Sequence, residues 1–257
     1  MIADDDATPM DVEFDLLAEW TRQAVRQLGE EHALPAACQG SASPAALDWL
    51  AHACDLTEGT GLLDVGGGTG GPAAYAADRF GARPLLVDPM PGACGYARSL
   101  FGLSAVVGTG EALPVATGAL DVAWCLGVLC TTAHRVPVLA ELRRVLRAGG
   151  SVGLLVFVKQ TAEVPDAPAG NDFPDSAELE RQISAAGLVF MDRTRLDALQ
   201  AAPASWTARA DRVQEAVARE HAGDPRYREA EDQKQRLGRL LRDAVIAGEL
   251  VHARAPA

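Results

Sequence analysis

The chain has 257 residues, a length that fits one large domain or one domain with an appendage. With 48% of its residues apolar and 23% charged, it has the side-chain surface for a sizeable core, which excludes a disordered chain. Thirty-five acidic against 23 basic residues leave a net charge of −12, a balance that repels phosphate backbones and anionic lipid and speaks against nucleic-acid and membrane-surface partners.

The opening MIADDDATPMD is acidic, and residues 1–11 are expected to be a disordered, solvated tail. It lacks the basic start of a signal peptide, and no apolar run approaches the roughly 18 residues of a membrane span. Cys38, Cys54, Cys94, Cys125 and Cys130 form no CxxC pair and have no histidine at zinc-finger spacing. Reduced thiols in a soluble, cytoplasmic protein without a metal site are the expectation.

Two helices are predicted before the first strand. In the first, Phe14, Leu17, Val25 and Leu28 recur at helical spacing; in the second, Ser43 and Pro44 read as N-cap and first turn of AALDWLAHAC. LPAACQGSAS between them reads as a loop. From residue 59 the pattern alternates. Strands are predicted at 62–65, 84–87, 105–107 and 121–126, with helices beginning at Pro72, Ala93 and Pro137. Gly149 and Gly150 are expected to end the last of these, and SVGLLVFV to form a fifth strand, whose unbroken apolar character suits a parallel sheet covered on both faces. A proline-rich loop over 159–174, a helix over 176–186 and a sixth strand over 188–192 follow. Trp206, Val213 and Val217 share a face of one later helix; Leu237, Leu240 and Leu241 mark another, which Gly248 is expected to stop before a short last strand.

LLDVGGGTGG carries the chemistry. Gly66, Gly68 and Gly71 make G-x-G-x-x-G, while Asp64, Gly66, Gly68 and Gly70 make D-x-G-x-G-x-G; both place glycines where the backbone turns sharply and a ligand approaches closely. Asp64, at the strand's end, would repel a pyrophosphate and attract a cation. Asp88 ends the second strand, placed to accept hydrogen bonds from ribose hydroxyls, a position that suits a nicotinamide dinucleotide equally well.

LLDVGGGTGG, LLVDPM, GEALPV, LDVAWCLGVL and LAELRRVLRAGG, in that order over residues 60–195, resemble the class I S-adenosylmethionine (SAM)-dependent methyltransferases. The likeness is to the small-molecule branch, similar to the ubiquinone/menaquinone, sterol and glycine/sarcosine enzymes, in which Gly-Gly-Pro commonly follows the glycine turn, as Gly70-Gly71-Pro72 does here. It implies an α/β, Rossmann-like, seven-stranded and mostly parallel sheet with helices on both faces and an antiparallel last strand. The divisions are then a helical N-terminal cap over 12–58, a SAM-binding core over 59–195, a helical substrate cap over 196–248 and the last strand over 249–257.

Carried over residue by residue, the resemblance implies that Asp64, Gly66, Gly68 and Gly70 hold the amino-acid end of SAM, Asp88 the ribose and Met90 the adenine. Gly110 and Glu111 would edge the adenine, and Cys125 and Leu126 would line the methionine moiety. Thr109 stands where many relatives carry the Asp that accepts from the adenine amine. The activity implied is methyl transfer to O, N or C of a small, hydrophobic metabolite, in natural-product biosynthesis, leaving S-adenosylhomocysteine, with the protein a monomer or homodimer. His134, in the loop after the fourth strand, is the candidate base, and Phe14, Trp20, Phe173, Trp206 and Tyr227 are candidate pocket residues. Two other readings stay open: a methyltransferase-like protein with a non-methylating or scaffolding role, and a nicotinamide-dependent oxidoreductase.

Overall fold

The computed structural model describes residues 9–40 and 42–257, with side chains from Leu16 onward. The expected tail therefore lies largely outside the described residues, but its last positions belong to helix α1 (Pro9–Leu28). Two helices follow: a five-residue α2 (Ala33–Ala37) and α3 (Pro44–Ala53), whose N-cap Ser43 accepts from the Ala46 N–H at 3.3 Å. The first of these is a correction, because LPAACQGSAS was expected to be loop. Its small residues fold into a helical turn once Ala33, Pro35, Ala36 and Ala37 have neighbours to bury against.

The alternating region forms β1 (Gly61–Val65), α4 (Gly71–Phe80), β2 (Arg83–Asp88), α5 (Pro91–Phe101), β3 (Ser104–Val107), β4 (Leu120–Leu126), α6 (Arg135–Val145) and β5 (Leu146–Lys159). Next come α7 (Ser176–Ala185), β6 (Val189–Arg195), α8 (Ala204–His221), α9 (Pro225–Arg242) and β7 (Ile246–Arg254). The strands make one sheet in the order β3-β2-β1-β4-β5-β7-β6, parallel except for β7, which runs antiparallel to both β5 and β6.

Three boundaries differ from expectation. The pair Gly149-Gly150 does not end α6, which stops at Val145; β5 already begins at Leu146, and its pairing with β4 shifts register between Leu120 and Val122. Gly149 adopts φ +74°, a value at which the glycine backbone is unstrained, so the pair shapes this irregular strand entry. Likewise Gly248 stops no helix: it lies within β7, opposite Phe157, and α9 has already ended at Arg242. Expected as a short last strand, β7 runs nine residues and is buried at eight of them because strands flank it on both sides.

Alternate residues of each strand feed opposite faces. Leu63, Val65, Ala123, Cys125, Val152, Leu154 and Val156 pack beneath α6 and α7. Leu62, Val122, Trp124, Leu126, Leu155 and Leu250 pack beneath α3 and α4. A separate cluster joins Trp20, Ala24 and Val25 of α1 to Val213, Ala216 and Val217 of α8, two helices far apart in the chain. Thus α3, expected to belong to the cap, is a core helix.

Candidate cofactor site

Consecutive crossovers leave β1 in opposite directions, toward β2 and β3 on one side and β4 and β5 on the other. Ligands of open α/β sheets bind at such a reversal, outside the carboxyl ends of the strands. The glycine turn lies there, between β1 and α4.

Its glycines perform different tasks. Gly66, Gly68 and Gly70 have φ of +65°, +54° and +84°, a region L side chains rarely adopt. Gly67 and Gly71 are required by space instead: a Cβ on Gly67 would stand 2.6 Å from Asp64 Oδ2, and one on Gly71 would stand 2.4 Å from the backbone carbon of Ala37. By contrast, among the described residues nothing beyond its two chain neighbours lies within 4 Å of a Cβ built on Gly68, so that side of the turn is open.

Two carboxylates face this turn. Asp88, 5% exposed, accepts from the Gly68 N–H on one oxygen at 2.8 Å and from the Met90 N–H on the other at 2.9 Å, joining β2 to the turn. Asp64 is buried within β1 between Leu86 and Trp124, and among the described residues no donor meets either of its oxygens with full hydrogen-bond geometry, the Ala73 amide being a weak electrostatic neighbour. Burial first, and the nearby negative charge of Asp88 second, push its carboxyl up to about 7, against the pull of the Ala73 amide at the start of α4. An unpartnered carboxylate is costly to bury, so Asp64 suits a donor that arrives with a positive charge.

The thiols of Cys38 and Cys125 are also pushed up, by burial and then by the charge of Asp64, which places α2 and β4 beside the same acid. Cys38 caps α2, and the Thr69 hydroxyl donates to the Ala37 carbonyl at 3.4 Å. This lid of α2 over the glycine turn had no sequence signal, since only the tertiary approach of Ala37 to Gly71 defines it.

The remaining predicted residues are distributed as follows. Gly110 packs against Val138 and Val65, and Cys125 and Leu126 are buried at the end of β4. His134 and Glu111, predicted for different roles, meet: His134 Nδ1 lies 3.0 Å from Glu111 Oε1, both exposed on the rim where α6 begins. The proposed pocket aromatics do not converge. Trp20 stacks on His221 at 4.1 Å with Tyr227 tilted at 6.3 Å, pinning α1 to α8 and α9. Trp206 sits edge-on to Tyr75 at 6.2 Å, leaving the face shared by Val213 and Val217. Phe173 alone lies beside the β4 loop, packed with Cys130, Phe157, Leu240 and Ile246. Phe14 lies outside the described side chains. Large aromatics were spent on holding cap helices, where their area contributes most. Two clefts, of about 260 and 300 Å³, open at the opposite edge of the sheet around Arg147 and contain none of these residues.

The sheet order and the antiparallel β7 are those of a Rossmann-like methyltransferase fold. Residues 63–154 match the family model for a methyltransferase domain. The chain is 33% identical over 162 residues to the biotin biosynthesis bifunctional protein BioHC of Cellvibrio japonicus (strain Ueda107), a match covering 58% of this chain and 32% of that protein; the chain thus spans about a third of its curated relative. Among solved structures it is similar to the [4+2]-cyclase SpnF, with a TM-score of 0.65, 23% identity and coverage of 82% of this chain and 80% of that one. It is also similar to geranyl diphosphate C-methyltransferase from Streptomyces coelicolor A3(2), solved with Mg2+, geranyl diphosphate and S-adenosyl-L-homocysteine, with a TM-score of 0.59, 16% identity and coverage of 82% and 78%. These two likenesses concern the fold.

Proposed function

We propose that this chain binds SAM at the carboxyl edge of β1, β2 and β4 and transfers its methyl group to the O, N or C of a small, hydrophobic metabolite. The observation that carries the reading is Asp64, a buried and unpartnered carboxylate at the mouth of an open glycine turn. An α-ammonium would satisfy its free oxygens, while a pyrophosphate would meet two carboxylates, which disfavours the nicotinamide reading. Natural-product biosynthesis and a cytoplasmic setting complete the proposal, the latter supported by five buried cysteines without a bridge.

Bound SAM would supply a methyl carbon already activated by a positive sulfur. The chain's residues then have three tasks. Asp64, with Gly66, Gly68 and Gly70, anchors the amino-acid end. Asp88, fixed at the end of β2 by the Gly68 and Met90 amides, would accept ribose hydroxyls. Met90, Gly110 and Glu111 would border the adenine, while Cys125 and Leu126 would present an apolar wall to the methionine moiety. Orientation and exclusion of water supply most of the acceleration for such a displacement. His134, oriented by Glu111, would take a proton from a hydroxyl or carbon-acid acceptor; a neutral amine would need positioning only. The apolar surroundings of Phe173 support a hydrophobic acceptor, entering between the β4 loop and the loop over 160–175.

A non-methylating reaction on the same cofactor fold is the second reading, favoured by the likeness to the [4+2]-cyclase SpnF. Calorimetric titration with S-adenosylhomocysteine beside NADH, repeated with Asp64→Ala, tests the proposal. Binding of the first ligand alone, lost in the variant, is the expected result. No binding of either ligand would overturn it, and retained biological function in the Asp64→Ala variant would favour the second reading.

A further inference from the structure

Arg135 opens α6, yet it is 3% exposed, a burial that a guanidinium tolerates only when fixed acceptors occupy its donors. Its Nε donates to the Leu129 carbonyl at 2.7 Å. One terminal nitrogen donates to the Asp172 carbonyl and lies 2.8 Å from the Asp172 carboxylate, and the other faces Glu178 of α7 at 3.8 Å. The Asp172 N–H returns the contact, donating to the Cys130 carbonyl at 2.8 Å. One buried side chain therefore fastens the loop after β4 to the loop after β5.

Both loops have consequences beyond this clasp. Val128, next to Leu129, lies so close over the glycine turn that its Cγ2 would stand 2.3 Å from a Cβ on Gly66. At the far end of the other loop, Asp166 pairs with Arg236 of α9 at 2.7 Å and the Ala169 N–H donates to Gln233 at 2.9 Å. A continuous line of contacts thus runs from α9 through Asp172 and Arg135 to the glycine turn.

We infer that Arg135 is a positioning residue that locks the β4 loop over the cofactor's methionine end and couples it to the cap, which sets the cofactor's residence time. This rests on the proposed SAM site. The planar fork is needed because three acceptors on separate elements must be met at once; a lysine ammonium reaches them singly.

Asp172→Ala is the milder test, since that carboxylate is largely exposed and Arg135 keeps its carbonyl partners; Arg135→Lys is the stringent one. Amide hydrogen exchange over residues 128–134 and stopped-flow release of S-adenosylhomocysteine would be measured on both, beside thermal melting. The expected result is a threefold to tenfold rise in exchange and in the release rate for Asp172→Ala, with association rate and melting temperature nearly unchanged, and a larger rise for Arg135→Lys. Wild-type exchange rates in a folded Asp172→Ala protein would overturn the clasp; faster exchange with unaltered release would overturn its link to the cofactor. Failure of the wild-type chain to bind S-adenosylhomocysteine would overturn the functional reading itself, and the exchange data would still decide the clasp.

Discussion

Asp64 shows how a single side chain can be arranged against stability. Its folded pKa, about 7, lies above the ordinary carboxylate value, so between roughly pH 4 and 7 the folded chain holds a proton that the unfolded chain has lost. Stability therefore falls as pH rises through this window, and above it the buried anion persists as a cost. Asp64→Asn is expected to raise apo stability at pH 8 by roughly 1–3 kcal/mol while weakening S-adenosylhomocysteine binding by about 10–100-fold. Chemical denaturation and calorimetry check the two halves. For the wild type, affinity should decline by up to about tenfold per pH unit below 7, as the proton competes with the ligand's ammonium; a flat profile from pH 5 to 8 would show that Asp64 does not contact that group. His134 stands at the other extreme. Exposed and paired with Glu111, it contributes less than about 1 kcal/mol to folding, so His134→Ala should leave the melting temperature unchanged. If the acceptor needs a base, methyl transfer should nonetheless fall by about 10²-fold or more with cofactor affinity intact.

At the scale of elements, the sequence was most legible where local chemistry is strongest. Ser43-Pro44 announces the start of α3, and the structure places the cap bond there; Ser43→Ala should cost about 1 kcal/mol, read from urea midpoints. Strands β1, β2, β4 and β5 could be read from unbroken apolar runs, since both sheet faces are covered. The errors fell where a glycine or proline invites a local reading that a long-range partner overrides. Gly248 resembles a helix stop but is held in β7 by Phe157, and a Cβ there would stand 2.4 Å from Leu196. The α2 segment resembles a loop, yet its backbone roofs the glycine turn. Gly71→Ala would drive a methyl group into Ala37, and a loss of about 1–3 kcal/mol is expected together with weaker S-adenosylhomocysteine binding, because α2 must lift from the turn. A variant with wild-type stability and affinity would show that α2 is not a working part of the site.

At the scale of the molecule, the described residues form a sheet core with a separate cluster that joins α1 to α8. Because the cluster around Trp20 is separate from the core clusters, Trp20→Ala should increase hydrogen exchange in α1 and α8 while the central strands keep their protection. Uniform loss of protection would show that cap and core unfold together. The sequence by itself determined the α/β alternation and the glycine turn flanked by Asp64 and Asp88, since these depend on short spacings and on residue types with few alternative uses. Only the tertiary structure decided that Asp64 is unpartnered, that Glu111 meets His134, that Arg135 joins two loops, and that the aromatics pin helices instead of lining one pocket. Most of these contacts join residues 23 to 207 positions apart, and packing among such residues leaves no periodic trace in the chain.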